Sequence, residues 1–262
     1  MDIAGYIAAL LIGLSLGLIG GGGSILTVPV LVYLFHIDPL TAVSYSLLIV
    51  GLTSAVGALN NYRRGYVDIK TALLFGLSSV ITVYSIRKFM LPVIPSQFII
   101  GNVTLSFGTF ILIVFALLMV TAAVSMIRKR EIFVRQTSRV SKPLLILLLY
   151  GIGLGIVTGF LGAGGGFILI PALVLILGMP MKTAIGTSLM IISFNSLIGF
   201  MGDIGHYNLD WKLAAILSAI AICGIFLGGK LGRNVDGTKL RKGFGWFVLV
   251  MGIYIVTKEI FL

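Results

Sequence analysis

Twice in this chain a run of glycines breaks an apolar segment and a fresh apolar run follows: GLIGGGGSILTVP from Gly17 and GFLGAGGGFILIP from Gly159. Each glycine costs roughly 0.8–1 kcal/mol of helix propensity relative to alanine, so a helix ends at Gly20–Gly23 and another begins at Ser24. A restarting helix presents amides with no intrahelical partner at the positive end of its dipole, which suits an anion. Gly22, Gly23 and Ser24 in one run, and Gly164, Gly165 and Gly166 in the other, would let an anion reach the backbone closely. Pro29 and Pro171 lie several residues inside the new helices, where proline kinks a helix rather than cradling a phosphate. The same glycines would also permit close helix packing, and both readings stay open at this point.

Each run is followed by a segment rich in hydroxyls, TAVSYSLLIVGLTSAVGALNN from Thr41 and TAIGTSLMIISFNSLIGFMGD from Thr183. Ser46, Thr187, Ser188 and Asn195 are the groups that would hydrogen-bond a small oxyanion without carrying charge. Ser54 and Ser196 lie about two turns beyond the equivalent serines, close to the same helix face. Serine and threonine also satisfy themselves on their own helix's carbonyls; Asn195 is the costlier residue to bury. A hydrolase built on Ser24 would need a base, and His36 is about three turns away. No catalytic residue, metal site or cofactor is therefore expected.

The elements that must position these groups are membrane helices. The composition is 58% hydrophobic and 10% charged, with a mean hydropathy of +1.15, which excludes an ordinary soluble domain. Continuous apolar runs in place of alternation point to helices rather than a barrel. The start, MDIAGYIAALLIG, lacks the basic region of a cleavable signal and reads as retained structure. The formal net charge of +11 comes from lysines and arginines in short loops, where they set orientation, so no nucleic-acid partner is expected. Cys223, the single cysteine, forms no intrachain disulfide and reads as a packed small hydrophobe.

The chain is also written twice. Shifting it by 142 positions aligns the two glycine runs without a gap, superposes Pro29 on Pro171, Ser46 on Ser188, Ser54 on Ser196 and Asp68 on Asp210, and gives about eighteen identities in about sixty positions. A fainter echo pairs FGTFILIV at Phe107 with FGWFVLVM at Phe244. The reading is a first repeat over residues 1–127, a basic connector over 128–142 and a second repeat over 143–262.

Charge then selects the topology. In the second repeat, crossings are expected at about residues 183–202, 211–229 and 243–261, after a block broken at its glycines. If each broken block is a hairpin entering and leaving on one side, 15 of the 19 lysines and arginines lie inside; if it crosses once, they split 11 to 8. The positive-inside rule prefers the hairpin. The expected fold is an all-α integral membrane protein of two inverted-topology repeats, each a broken helical hairpin plus three transmembrane helices. Both termini are then outside and the connector is cytoplasmic. The hairpin arms are about residues 3–19 and 24–36. Sites in such proteins form at the repeat interface from discontinuous helices.

Ionisable residues are expected at helix ends: Asp38, Asp68, Asp203, Asp210, His36 and His206 as caps or interfacial groups, with Arg87 and Lys88 outside. Arg63, Arg64 and His206 could funnel anions, although anchoring is the plainer role. No such residue falls clearly at the centre of an expected span, so no proton relay is visible. Export of an anion from a negative interior gains roughly 2.3 kcal/mol per charge per 100 mV and needs no coupled ion.

The doubled glycine–proline pattern, followed by MKTAIGTSLMIISFNSLIG, resembles the sulfite exporter TauE/SafE family of prokaryotic membrane transporters over essentially the whole chain. The resemblance implies a multi-pass protein of the cell membrane that moves small sulfur-containing anions (sulfite, sulfonate or sulfoacetate type), typically outward. Its partners would be a small anionic substrate and the lipid bilayer, with the oligomeric state left open. The first half has Ser44-Tyr45-Ser46 where the second has Gly186-Thr187-Ser188, so a site need not be symmetric. An anion channel of the same architecture and a non-transporting membrane scaffold are the competing expectations.

Overall fold

Helix starts fall where the sequence supplies caps. Asp38 accepts hydrogen bonds from the amides of Leu40 and Thr41 and opens α3 (Pro39–Arg63), with Pro39 in the first turn, where its missing N–H costs nothing. Asp68 accepts from the Thr71 amide at 3.3 Å to open α4 (Ile69–Ser85), and Asp210 accepts from Lys212 and Leu213 to open α9 (Trp211–Leu231). Ser106 opens α5 (Phe107–Ile127) on the Gly108 amide. The remaining helices are α1 (Ile3–Ile19), α2 (Ser24–Leu34), α6 (Leu144–Leu161), α7 (Gly166–Leu175), α8 (Met181–Asp203) and α10 (Gly237–Phe261). Beyond Ser85, α4 continues as a π-helical turn, Ile86–Met90, and a short 3₁₀ turn, Leu91–Val93. A two-stranded antiparallel hairpin, β1 (Gln97–Ile100) and β2 (Val103–Ser106), then leads into α5; the sequence reading did not anticipate it. This computed structural model describes residues 3–21, 23–95, 97–100, 103–128, 144–162, 165–175, 177–231 and 237–261. Gly22, Gly164 and all of the connector but Arg128 lie outside the described residues.

The glycine breaks are real helix ends. α1 and α2 run back to back as a hairpin: Gly23 sits on Ile12 and Ser15 near the turn, and the Tyr6 and Phe35 rings meet edge to face at 5.9 Å at the open end. Both short helices pass through their prolines, Pro29 and Pro171, without ending.

Packing between the halves repeats under the 142-residue shift. α1 lies along α9 in parallel, with Gly13 against the Ala221 backbone and Gly17 against Ile225. α6 lies along α4 in the same way, with Gly155, the equivalent of Gly13, against the backbone of Ser79, the equivalent of Ala221. At the centre α3 and α8 pack antiparallel: Gly51 faces Leu197, Gly57 faces Leu189 and Gly199 faces Leu47. α5 packs on α10, where Gly252 meets Ala116, Met119 and Val120.

Five helical segments among the described residues are long and apolar enough to cross a membrane: Pro39–Arg63, Ile69–Val93, Phe107–Val124, Met181–Asp203 and Trp211–Leu231. Their outward faces are apolar, as Leu73, Leu77 and Ile81 show at one-turn spacing along α4. Soluble proteins rarely expose such stripes; lipid accepts them. Cys223 belongs to such an outer face of α9 and is exposed, which corrects its reading as a packed residue: the inward positions of α9 are Ala221, Gly224 and Ile225.

Candidate functional site

The two glycine turns meet. Gly21 and Gly166 approach so closely that a Cβ on either would strike the backbone of the other, and Ile192 of α8 closes on Gly166. Gly20, Gly162 and Gly165 have φ of 81°, 65° and 66°, a left-handed backbone that L side chains rarely adopt. Each turn is held by the opposite half. The Ser46 hydroxyl on α3 donates to the Gly162 carbonyl at 2.9 Å. Its equivalent on α8, Ser188, lies 3.3 Å from the Gly20 carbonyl and 2.8 Å from that of Ile185 on its own helix. Carbonyls freed by breaking a helix in lipid are costly unless protein or water satisfies them, and these serines supply part of that satisfaction. Ser24, fully buried, donates to Gly21 at 2.8 Å and so closes its own turn.

Thr187 sits elsewhere, holding a loop: its hydroxyl accepts from the Asp68 amide at 2.9 Å. Tyr45, its equivalent 142 residues earlier, does the same for the amide of Asp210. Asn195 reaches α4, donating to the Ser79 hydroxyl at 2.7 Å, and its carbonyl oxygen is buried with no partner among the described residues. The buried hydroxyls of Ser54, Thr158 and Ser196 are likewise unpartnered there. The Thr158 oxygen lies beside Gly165. Of the residues expected from the sequence, Gly23, Ser24, Ser46, Gly165, Gly166, Thr187, Ser188 and Asn195 are all buried; Ser46 and Ser188 reach the glycine turns, while Thr187 and Asn195 bond to the Asp68 loop and to α4.

A cavity of about 620 Å³ opens at the end of the α3–α8 pair marked by Asn61 and Lys182. Its wall includes Asn60, Asn61, Arg64 and Lys182, and it runs past Ile185 and Leu189 of α8 to Gly17 and Gly229. Among the described residues that line it there is no carboxylate. The Lys182 ammonium stands 5.8 Å from the centre of the Tyr66 ring, a cation–π distance. A Cβ on Gly229 would meet open space.

The opposite end of the α3–α8 pair is closed. Arg87, in the π-helical turn after α4, forms a 3.0 Å ion pair with Asp203 at the end of α8, both side chains almost wholly out of solvent. The same carboxylate oxygen accepts from the Ser44 hydroxyl. Asp203, expected at a helix end as a cap or interfacial group, does end α8 but is buried there, which corrects the expected solvation, and Arg87, counted among the charges on the outer side, is buried with it. The physical reason is mutual neutralisation, which a single strand of sequence does not display, because the partners are 116 residues apart. A hint was present: Asp203 is the equivalent of Asn61, so a polar group recurs there in both halves. Beside the pair a smaller cavity of about 240 Å³ is lined by Arg87, Pro92, His206 and Tyr207. In the loop between spans, burial pushes the Tyr207 phenol above its ordinary pKa and the Asp203 carboxylate adds to the rise, so Tyr207 is a neutral hydrogen-bond donor at physiological pH.

Polar groups inside helices whose outward faces are apolar fit a multi-pass membrane protein. The family follows from sequence. The profile described as Sulfite exporter TauE/SafE matches residues 6–255, and the chain belongs to that family. Among curated relatives, a "Probable membrane transporter protein" of Xylella fastidiosa (strain 9a5c) is 29% identical over 255 residues, covering 95% of this chain and 92% of the relative. The "Probable membrane transporter protein YunE" of Bacillus subtilis is 27% identical, covering 96% and 94%. A "Probable membrane transporter protein" of Methanocaldococcus jannaschii is 35% identical over 118 residues, 43% of each chain. No solved structure matches the chain significantly.

Proposed function

We propose that this transporter exports small sulfur-containing oxyanions, of the sulfite, sulfonate or sulfoacetate type, by alternating access between two inverted halves. The observation that carries the reading is the 620 Å³ cavity with Arg64 and Lys182 in its wall and no carboxylate among the described residues that line it. Clefts lined by one sign of charge concentrate the opposite ion, and this one leads toward the paired glycine turns. The binding groups in this reading are the amides and hydroxyls of Gly22, Gly23, Ser24, Gly164, Gly165 and Gly166, with Ser46, Thr187, Ser188 and Asn195 from the crossing helices.

The inverted arrangement is supported by the antiparallel contact of α3 with its own equivalent, α8. Two equivalent helices packed antiparallel are related by an axis perpendicular to both, which for spanning helices lies in the membrane plane. The basic connector and the loops bearing Arg63, Arg64, Lys70 and Lys182 then face the cytoplasm together with the cavity, and both termini lie outside.

The test is flux of sulfite, sulfonates, sulfate and chloride from liposomes containing the purified protein, with Arg64→Glu and Lys182→Glu beside it. Saturable, selective flux of a sulfur oxyanion, reduced about tenfold by the paired charge reversal, is expected. Flux that never saturates would make the protein a channel, and flux of none of these anions would end the anion reading.

A further inference from the structure

The 142-residue equivalence makes the two ends of the α3–α8 pair directly comparable. Asn61 and Gly229 line the open cavity; their equivalents are Asp203 and Arg87. Surrounding packing is matched: Gly57 rests on Ile225 and Leu189 at one end, and Gly199 on Val83 and Leu47 at the other. What differs is that Gly229 contributes no side chain, whereas Arg87 fills the corresponding space and is 1% exposed.

Arg87 is also half used. Asp203 takes Nη1 alone, while Nε and Nη2 are buried without a hydrogen-bond partner among the described residues. Those two nitrogens form the edge of a guanidinium that grips two oxygens of one oxyanion side by side. A pair retained only for structure would leave a costly desolvated edge for nothing. Arg87 lines the 240 Å³ cavity with His206 and Tyr207, both able to donate hydrogen bonds to an anion.

We propose that Arg87 is the oxyanion-binding group of a second site, at the end of the transporter opposite the large cavity, and that Asp203 acts there as an internal stand-in for substrate. With no anion present, Asp203 and Ser44 hold Arg87 in place and that end stays shut. An oxyanion entering the small cavity competes with Asp203 for the Arg87 guanidinium, draws its buried Nε–Nη2 edge toward itself, and frees the end of α8 to move. The proposal rests on the reading of the substrate as a small anion.

The test replaces Cys223 by serine, introduces Pro92→Cys at the exposed rim of the small cavity, and follows its modification by neutral N-ethylmaleimide in detergent. Methanesulfonate and sulfate should slow the reaction at least threefold and saturably, while chloride, which offers no pair of oxygens to the two-pronged edge, should not. Arg87→Lys, which keeps the charge but loses the two-pronged edge, should abolish the protection. Asp203→Asn should achieve it at several-fold lower anion concentration. If either single variant fails to fold, the neutral pair Arg87→Gln with Asp203→Asn decides, and should show no protection. Absence of protection in the reporter protein, or protection that survives loss of the Arg87 edge, overturns the site. Liposome flux separates the two claims: protection without flux leaves the Arg87 site standing and sinks the transport reading, and flux without protection does the reverse.

Discussion

Ser46 and Ser188 occupy equivalent positions but do not carry equal weight. Ser46 has one partner, the Gly162 carbonyl, whereas Ser188 divides its proton between Gly20 and its own helix. Ser46→Ala strands a buried carbonyl and should lower stability by about 1–3 kcal/mol. Ser188→Ala should cost less, and Ser196→Ala, whose hydroxyl has no partner among the described residues, least of all. Thermal denaturation of the three purified variants gives the order directly. The Arg87–Asp203 pair sets a second residue-scale expectation. Asp203→Ala leaves a buried guanidinium uncompensated and should cost about 3–5 kcal/mol, while replacing both residues by leucine should recover most of it. A double variant no better than the single would mean the pair is not buried as described.

At the scale of elements, the parallel pairs α1 with α9 and α4 with α6 depend on glycine where backbones touch. Gly13 lies on the Ala221 carbonyl and Gly155 on that of Ser79, so Gly13→Leu and Gly155→Leu must push whole helices apart. Each should destabilise by 1–3 kcal/mol or more, roughly what overpacking a close contact costs. Gly153→Ala is the control: nothing lies within 4 Å of the added carbon, and its effect should stay within about 0.5 kcal/mol. Yield of monodisperse protein and melting temperature distinguish the two classes. Equal tolerance at Gly13 and Gly153 would remove the α1–α9 contact from the account.

Across the whole molecule, the hairpin of α1 and α2 fixes the direction of everything after it. Because α1 returns as α2 to the same end, with Tyr6 beside Phe35, the proposed topology has the three longer helices of the first half carry the chain to the opposite side before the connector begins. With the orientation proposed from the basic loops, alkaline phosphatase fused after Leu262 should be active outside the cell, and a fusion after Ser138 inactive. Activity at Ser138 would reverse the orientation and, with it, the side on which the 620 Å³ cavity opens.

Much of this was legible in the residues. The glycine runs marked the helix breaks: arms expected at 3–19 and 24–36 are α1 and α2, with α2 ending at Leu34. Asp38, Asp68 and Asp210 announced their helices as caps. The 142-residue echo forecast which elements would correspond. Such features are local or periodic, so backbone propensity and the cost of unsatisfied amides in lipid write them directly into the chain. Three things were decided only by tertiary packing: that Ser46 is bonded to the opposite half's turn, that the open cavity lies at Asn61 and Gly229 rather than at the glycines, and that Arg87 is buried against Asp203. The first and third depend on groups more than a hundred residues apart being brought within hydrogen-bonding distance, the second on how distant helices pack, and a charge or a hydroxyl carries no local sign of the partner that will satisfy it.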